Sequence, residues 1–179
     1  MSHTHKKDVG ALVRKSGVSF RVWAPNASSV AVTGTFNSWS DTAMTSENDG
    51  YWHVFVHGAR AGQEYKFRIT NGDRTFLKND PRALHFTTSA GNSVITEFNT
   101  DMVAEPFAPP PLEKQVIYEL HVGTFNRDDP AICGNFDTLI AKLDYLQALG
   151  INMIELMPIS SMMMDRGWGY AIDYIYSVE

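Results

Sequence analysis

The sequence predicts an antiparallel β-sandwich followed by a β-α-β unit that opens a larger α/β fold. Between residues 17 and 98, short runs of alternating apolar and polar residues are separated by turn residues. Between residues 116 and 157, two strand-like segments flank an apolar pattern of helical period. A proline-rich stretch, Ala104 to Pro111, lies between the two regions and is typical of an extended spacer.

In the first region, each run of alternating residues predicts a strand with one buried face, because successive side chains point to opposite sides. The sequence Asn71-Gly72 predicts a tight hairpin. We place Phe76, which follows that hairpin, in the core. Several short strands of this kind are typical of a two-sheet antiparallel sandwich. The predicted core face comprises Phe20, Val22, Val30, Val32, Trp52, Val54, Val56, Tyr65, Phe67 and Ile69.

The second region reads as a strand, a helix and a second strand. The strands are predicted at residues 116–122 and 151–157, and one helix is predicted between Asn135, its N-cap, and Gly150, the left-handed residue after its end. This arrangement gives two parallel strands, which need cover on both faces. The residues alone therefore predict the opening of either a (β/α)₈ barrel or a doubly wound sheet.

Composition and charge exclude several classes of function. A formal net charge of −5 over 179 residues gives no basic footprint for nucleic acid, and no apolar run reaches the roughly 18 residues of a membrane helix. The single cysteine, Cys133, allows no intrachain disulfide and suits a reducing cytoplasm; we do not expect a catalytic thiol. Residues 1–8 lack the apolar segment of a signal peptide, and His3 and His5 lack further ligands for a metal. We expect neither metal nor cofactor.

Three segments of the second region carry a family resemblance. They read VIYELHVGTF at 116–125, GINMIELMPI at 150–159 and GWGY at 167–170. In this order they resemble the first two barrel strands and the following loop of glycoside hydrolase family 13, the α-amylase superfamily, and within it the 1,4-α-glucan (glycogen) branching enzymes and the trehalohydrolases. The resemblance implies an immunoglobulin-like β-sandwich followed by the first β-α-β unit of a truncated (β/α)₈ TIM barrel.

The same resemblance bears on catalysis. The family's catalytic carboxylates lie on barrel strands four, five and seven, and a retaining glycosidase needs two carboxyl groups about 5–5.5 Å apart. Those strands lie outside this sequence, so we assign no catalytic residue and expect no turnover from these 179 residues alone. Glu119 and Glu155 are interpreted as strand residues bonded to neighbouring groups. Trp168 and Tyr170 resemble substrate contacts, with Tyr170 stacked under the sugar at the cleavage subsite.

Four segments of the first region resemble carbohydrate-binding module family 48. They read GTFNSWS at 34–40, GYW at 50–52, GQEYKFRI at 62–69 and NDPRA at 79–83. The resemblance implies an α-glucan partner, with Trp39 and Lys66 as ligand contacts, because an aromatic plane accepts the apolar face of a sugar ring. The alternative is that Trp39 packs against the sandwich edge or against the barrel. Where the family has a second tryptophan platform, residues 73–76 read DRTF, which predicts weak independent affinity.

We expect three parts: a sandwich at 1–103, a linker at 104–115 and an incomplete barrel at 116–179. The expected function is that of the N-terminal region of a branching-type enzyme, which breaks α-1,4 bonds and forms α-1,6 bonds. Alternatives are an α-glucan hydrolase of the amylase, debranching or trehalohydrolase type, a non-catalytic glycan-binding or regulatory protein, and an unrelated α/β enzyme. The unrelated α/β enzyme lacks support, because no Gly-rich phosphate loop follows Val122. We also expect self-association through the exposed barrel portion.

Overall fold

The structure is a computed structural model that describes residues 9–88, 90–97, 106–162 and 167–179. The described residues form two compact units. The first comprises residues 9–97 together with 160–162 and 172–179, and the second comprises residues 106–159 and 167–171. His3, His5 and Asp165 lie outside the described residues. Among the described residues, no helix combines the length and the apolar content needed to cross a membrane.

The first unit contains two antiparallel sheets. One has the strand order β1-β2-β6-β5. The other has the order β4-β3-β7-β8, with β9 also paired to β7. The strands are β1 (Gly10–Arg14), β2 (Gly17–Trp23), β3 (Ser29–Gly34), β4 (Thr42–Ala43), β5 (Thr45–Ser46), β6 (Tyr51–His57), β7 (Glu64–Asn71), β8 (Arg74–Lys78) and β9 (Ser93–Val94).

The core of this unit is formed by side chains that alternate along β2, β3 and β7. Phe20, Val32 and Phe67 are fully buried, and each contributes about 1.5–3 kcal/mol by removal from water. The other buried members of the cluster are Val18, Val22, Ala24, Val30, Met44, Ala59, Tyr65 and Ile95. A mostly antiparallel domain consistent with the predicted β-sandwich is therefore confirmed.

The hairpin predicted after β7 is confirmed, and the prediction for Phe76 is wrong. Asn71 pairs with Arg74, which leaves Gly72 and Asp73 as the turn, and Gly72 has a φ of +56°. Phe76 is 43% exposed. All residues of β8 are exposed, since this edge strand is covered on neither face. Alternation along the strand consequently does not bury Phe76.

The second unit contains the predicted β-α-β arrangement. Strand β10 (Ile117–Leu120) and strand β11 (Met153–Leu156) pair in parallel, with Ile117 opposite Met153. Between them lie α1 (Val122–Phe125), α2 (Phe136–Ile140) and α3 (Leu143–Ala148). Leu120, Leu139 and Leu146 form its small buried cluster.

The helix between these strands differs in one respect from the prediction. As predicted, Asn135 caps α2, with its side chain accepting a hydrogen bond from the backbone N–H of Thr138, and Gly150 has a φ of +93°. The single predicted helix is, however, interrupted at Lys142, whose backbone is not helical (φ −109°, ψ 2°). The apolar period continues across Lys142, and for this reason the period alone predicts one helix.

Two further strands, β12 (Ser160–Met162) and β13 (Ile172–Val178), form an antiparallel pair that is grouped with the first unit. The ring of Tyr174 in β13 stacks on Phe86 at a centroid distance of 3.9 Å. Asn79 Nδ2 also donates a 2.9 Å hydrogen bond to the hydroxyl of Tyr174, and the guanidinium of Arg82 lies 4.5 Å from the ring centre of Tyr176. These interactions join part of the predicted barrel region, 116–179, to the first unit.

Candidate functional site

Trp39 lies in a short loop, residues 38–41, which we call the Trp39 loop. A 3₁₀ turn, Thr35–Asn37, precedes the loop, and β4 follows it. Asn37 ties the two ends together: its Oδ1 accepts a 2.9 Å hydrogen bond from the N–H of Gly34, and its Nδ2 donates a 2.9 Å hydrogen bond to Thr42 Oγ1. The loop is therefore closed by a side chain that the GTFNSWS segment supplies.

The backbone of the Trp39 loop is strained. Ser38 (φ 53°) and Trp39 (φ 60°) are consecutive non-glycine residues in the left-handed region, which costs on the order of 1–2 kcal/mol per residue. The N–H of Trp39 donates a 2.8 Å hydrogen bond to Gly34 O, which helps hold this conformation. The indole is 39% exposed, so part of its surface packs on the protein and part remains available.

Lys66 lies on the outer face of the second sheet. Val32 pairs with Phe67, and both are core residues; the next pair, Thr33 and Lys66, therefore points to the opposite face. Arg68, two residues further along β7, points the same way. We call this outer surface of β3 and β7 the Lys66 face.

The Trp39 loop is connected to the Lys66 face by an ion pair. Arg68 Nε donates a 2.8 Å hydrogen bond to Asp41 Oδ1, and the two side chains are 39% and 48% exposed. Asp41 follows Trp39 by two residues, and Arg68 follows Lys66 by two residues. The structure thus brings the loop of Trp39 and the strand of Lys66 together.

Strand β8 supplies no second aromatic ring on the Lys66 face. Phe76 pairs with Ile69, which packs against the core, so Phe76 points away from the Lys66 face. Leu77 pairs with Arg68 and is 46% exposed on the Lys66 face. Among the described residues of this hairpin, the Lys66 face therefore carries an aliphatic side chain, Leu77, and no aromatic ring.

Trp168 and Tyr170 belong to the second unit, whereas Trp39 and Lys66 belong to the first. They are 72% and 67% exposed. Gly169, between them, has a φ of +87°, and a Cβ at this position would overlap the carbonyl oxygen of Pro158. Only glycine fits, because the loop passes directly over the segment that follows β11.

Two acidic residues of the second unit, Glu119 and Glu155, lie side by side on its strands. Glu119 and Glu155 pair in register on neighbouring parallel strands, and both are exposed. Neither has a bonded partner in the part of the chain that the structure describes, contrary to the interpretation that they bond neighbouring groups. In the same part of the chain, no three His, Cys, Asp or Glu side chains are grouped as a metal ion would require.

One buried polar network was missed by the sequence reasoning. Asp80 is fully buried; its Oδ2 accepts a 2.7 Å hydrogen bond from the Tyr65 hydroxyl, and its Oδ1 accepts a 2.8 Å hydrogen bond from the N–H of Arg82. Burial raises the pKa of Asp80 above its ordinary value. Burial, and next the negative charge of Asp80, raise the pKa of Tyr65. Alternation alone does not signal this network, because Asp80 lies outside the strands and bonds to Tyr65 fifteen residues earlier.

Comparison with known proteins shows what this chain is similar to. Residues 8–83 match the family model of carbohydrate-binding module 48, the isoamylase N-terminal domain. The 1,4-alpha-glucan branching enzyme GlgB of Hydrogenovibrio crunogenus is 35% identical, in an alignment that covers 94% of this chain and 26% of that protein. The same enzyme of Nitrobacter winogradskyi is 37% identical, with 90% of this chain and 24% of that protein covered.

Solved structures of two α-glucan-related proteins resemble nearly the whole of this chain. A putative alpha amylase from Salmonella typhimurium has a TM-score of 0.75 at 30% identity, and 96% of this chain matches 28% of that chain. Pullulanase type I from Bacillus subtilis, complexed with maltose, has a TM-score of 0.78 at 25% identity, again over 96% of this chain and 28% of that chain. The chain spans about a quarter of the length of the curated relatives it matches. The resemblance to the α-amylase superfamily is confirmed, and residues 8–83 match its carbohydrate-binding module 48.

Proposed function

We propose that the first unit binds α-glucan on the Lys66 face. The observation that carries the proposal is the strained loop that holds a partly exposed Trp39 beside the strand of Lys66. The indole plane is suited to the apolar face of a glucose ring, and the ammonium group of Lys66 can donate hydrogen bonds to its hydroxyl groups. The match to carbohydrate-binding module 48 supports the same ligand class.

We further propose that the whole protein is a glucan-modifying enzyme of the branching type, which transfers α-1,4-linked chains to α-1,6 positions. The branching enzymes that match at least 90% of this chain support this reaction. Hydrolysis is the second candidate, favoured by the neighbours described as an alpha amylase and a pullulanase. Either reaction requires a pair of carboxyl groups. We place that pair outside these residues.

In the same proposal, β10, β11 and the loop of Trp168 and Tyr170 are the start of a (β/α)₈ barrel. The parallel pairing of β10 and β11 supports it, since barrel strands are parallel. The division into 1–103, 104–115 and 116–179 remains our proposal for the parts of the chain. Cys133 is free and exposed, which suits a reducing cytoplasm.

Glucan binding is tested by calorimetric titration with maltoheptaose. Trp39→Ala should cost about 1–3 kcal/mol of binding free energy, because both buried area and the ring contact are lost. The matched control is Trp23→Ala, which removes an indole that is 60% exposed on the other sheet. Equal affinity of wild type and Trp39→Ala would contradict the proposal.

The reaction is tested with the product of the complete gene and linear amylose. Branching creates α-1,6 linkages, seen as their own anomeric proton signals, without a matching increase in reducing ends. Hydrolysis raises reducing ends and creates no α-1,6 linkage. If the complete product does neither and still binds maltoheptaose, the non-catalytic glycan-binding alternative replaces the enzyme proposal.

Self-association of these 179 residues is proposed for the second unit. Val116, Ile117 and Leu156 on or beside its two strands are 49%, 49% and 37% exposed. Exposed apolar side chains at an open sheet edge favour association. Sedimentation equilibrium should give an apparent molar mass that rises with protein concentration. A constant monomer mass would contradict self-association.

A further inference from the structure

The Trp39 loop is held at both ends, and Asp41, its last residue, is ion-paired with Arg68 of β7. Asn37 fixes the beginning, and β4 pairs with β3 at the end, with Val32 opposite Thr42. Between these points, Asp41 reaches across to Arg68. This ion pair is a polar side-chain link between the loop and the strand that carries Lys66.

The conformation of the loop needs such a link. Two consecutive left-handed residues, Ser38 and Trp39, are disfavoured unless surrounding contacts compensate them. Trp39 itself keeps 39% of its surface exposed, so its own packing covers only part of the indole. A shift of the loop relative to β7 would change the separation between the indole and the ammonium group of Lys66.

Exposure argues that the ion pair does little for the stability of the fold. Both side chains are more than a third exposed, and ion pairs of this kind contribute little to unfolding free energy because solvent screens them. Asp41 and Arg68 lie, however, two residues from Trp39 and Lys66, respectively. Their effect is therefore concentrated on the geometry of the proposed binding surface.

We infer that Arg68 and Asp41 are positioning residues, which set the affinity for α-glucan by fixing the Trp39 loop against the strand of Lys66. This inference rests on the proposed glucan-binding function. Maltoheptaose carries no charge, so the binding contacts themselves have no Coulombic dependence on salt. An ion pair that positions the site makes the binding of this neutral ligand sensitive to ionic strength.

The test measures the affinity of the full chain for maltoheptaose and its thermal unfolding in parallel. Arg68→Gln and Asp41→Asn should each weaken binding by about three- to fivefold and leave the unfolding midpoint nearly unchanged, because an exposed ion pair can shift the population of the binding conformation by no more than this. The double variant Arg68→Glu with Asp41→Lys, which reverses the pair, should restore affinity to within about 1.5-fold of wild type. Arg74→Gln is the matched control, because Arg74 on β8 pairs with Asn71 and points away from the Lys66 face.

Salt supplies the second readout. Raising sodium chloride from about 20 mM to about 500 mM should weaken wild-type binding and leave Arg68→Gln unaffected. Normal binding by Arg68→Gln would overturn this inference and leave the proposed function intact. Failure of the reversed pair to recover would overturn positioning, because Arg68 would then act on the glucan directly. Absence of binding by wild type would overturn both proposals.

Discussion

The hydroxyl of Tyr65 donates a 2.7 Å hydrogen bond to Oδ2 of Asp80, and both side chains are buried inside the first unit. The same aspartate makes two further hydrogen bonds. Its Oδ1 accepts from the N–H of Arg82, and its own N–H donates a 2.9 Å hydrogen bond to Ser93 Oγ. Asp80 thereby ties its own segment, which follows β8, to both β7 and β9.

Removing the Tyr65 hydroxyl should destabilise the first unit. Tyr65→Phe keeps the ring and leaves Asp80 Oδ2 buried without its donor, which costs about 1–3 kcal/mol of unfolding free energy. The measurement is urea denaturation followed by tryptophan fluorescence. Tyr145→Phe serves as a control, because Tyr145 is 59% exposed and should tolerate the change. Equal stability of both variants would show that the bond contributes nothing.

Asp80 should make stability fall as pH rises. Its folded pKa is raised, chiefly by burial, so above about pH 4 the unfolded chain loses this proton before the folded chain does. This contribution is complete below the ordinary aspartate pKa and is lost as pH rises toward the folded value. Asn cannot titrate. The stability of wild type minus that of Asp80→Asn should therefore decline across this window. A difference that grows with pH would mean that the hydrogen bonds from Tyr65 and Arg82 lower the pKa more than burial raises it.

Two ion pairs in the described part of the first unit, Arg21 with Glu47 and Arg68 with Asp41, should differ in their effect on stability. Arg21 donates from Nε to Glu47 Oε2 at 2.7 Å and is only 10% exposed at its side chain, whereas the Arg68 and Asp41 side chains are far more exposed. Glu47→Gln should cost about 1–3 kcal/mol, since the buried guanidinium loses its counter-charge. Asp41→Asn should cost about 0–1 kcal/mol. Thermal and urea unfolding measure both losses of stability. A larger loss for Asp41→Asn than for Glu47→Gln would contradict the argument from exposure.

Hydrogen exchange should separate the two units. Strands β3 and β7 lie inside a five-stranded sheet, whereas β10 and β11 form a sheet of two with open edges. Amides of β3 and β7 should exchange most slowly, and those of β10 and β11 much faster. The experiment uses dilute monomer, so that association does not protect the second unit. Strong protection of residues 116–157 under these conditions would contradict the prediction.

The features that the sequence predicted correctly are local ones. The cap at Asn135, the left-handed Gly150 and the turn at Gly72 each depend on neighbouring residues. The buried face of β7 follows from alternation, which is also local. Such features are readable because the physical cause lies within a few residues of its effect.

The features that were missed depend on what lies opposite in space. Phe76 alternates correctly but occupies an uncovered edge strand, so the pattern overstates its burial. Tyr174 packs on Phe86, far away in the chain, and no periodicity signals that contact. In the candidate site, Trp39 and Lys66 were recognised by resemblance, whereas the link between Arg68 and Asp41 required the structure.

The most direct test of the central proposal uses the four tryptophans as reporters. Their indole N–H groups give separate resonances in a ¹⁵N-labelled sample. Trp23 and Trp168 are exposed, and the indole N–H of Trp52 is bonded to Ala24 O at 3.1 Å.

On titration with maltoheptaose, we expect the Trp39 resonance to shift in a saturable manner while those of Trp23, Trp52 and Trp168 stay in place. The aromatic ring under a sugar experiences the largest change of environment, which explains the expected selectivity. A saturable shift of Trp168 with Trp39 unmoved would place the glucan on the second unit and contradict the account.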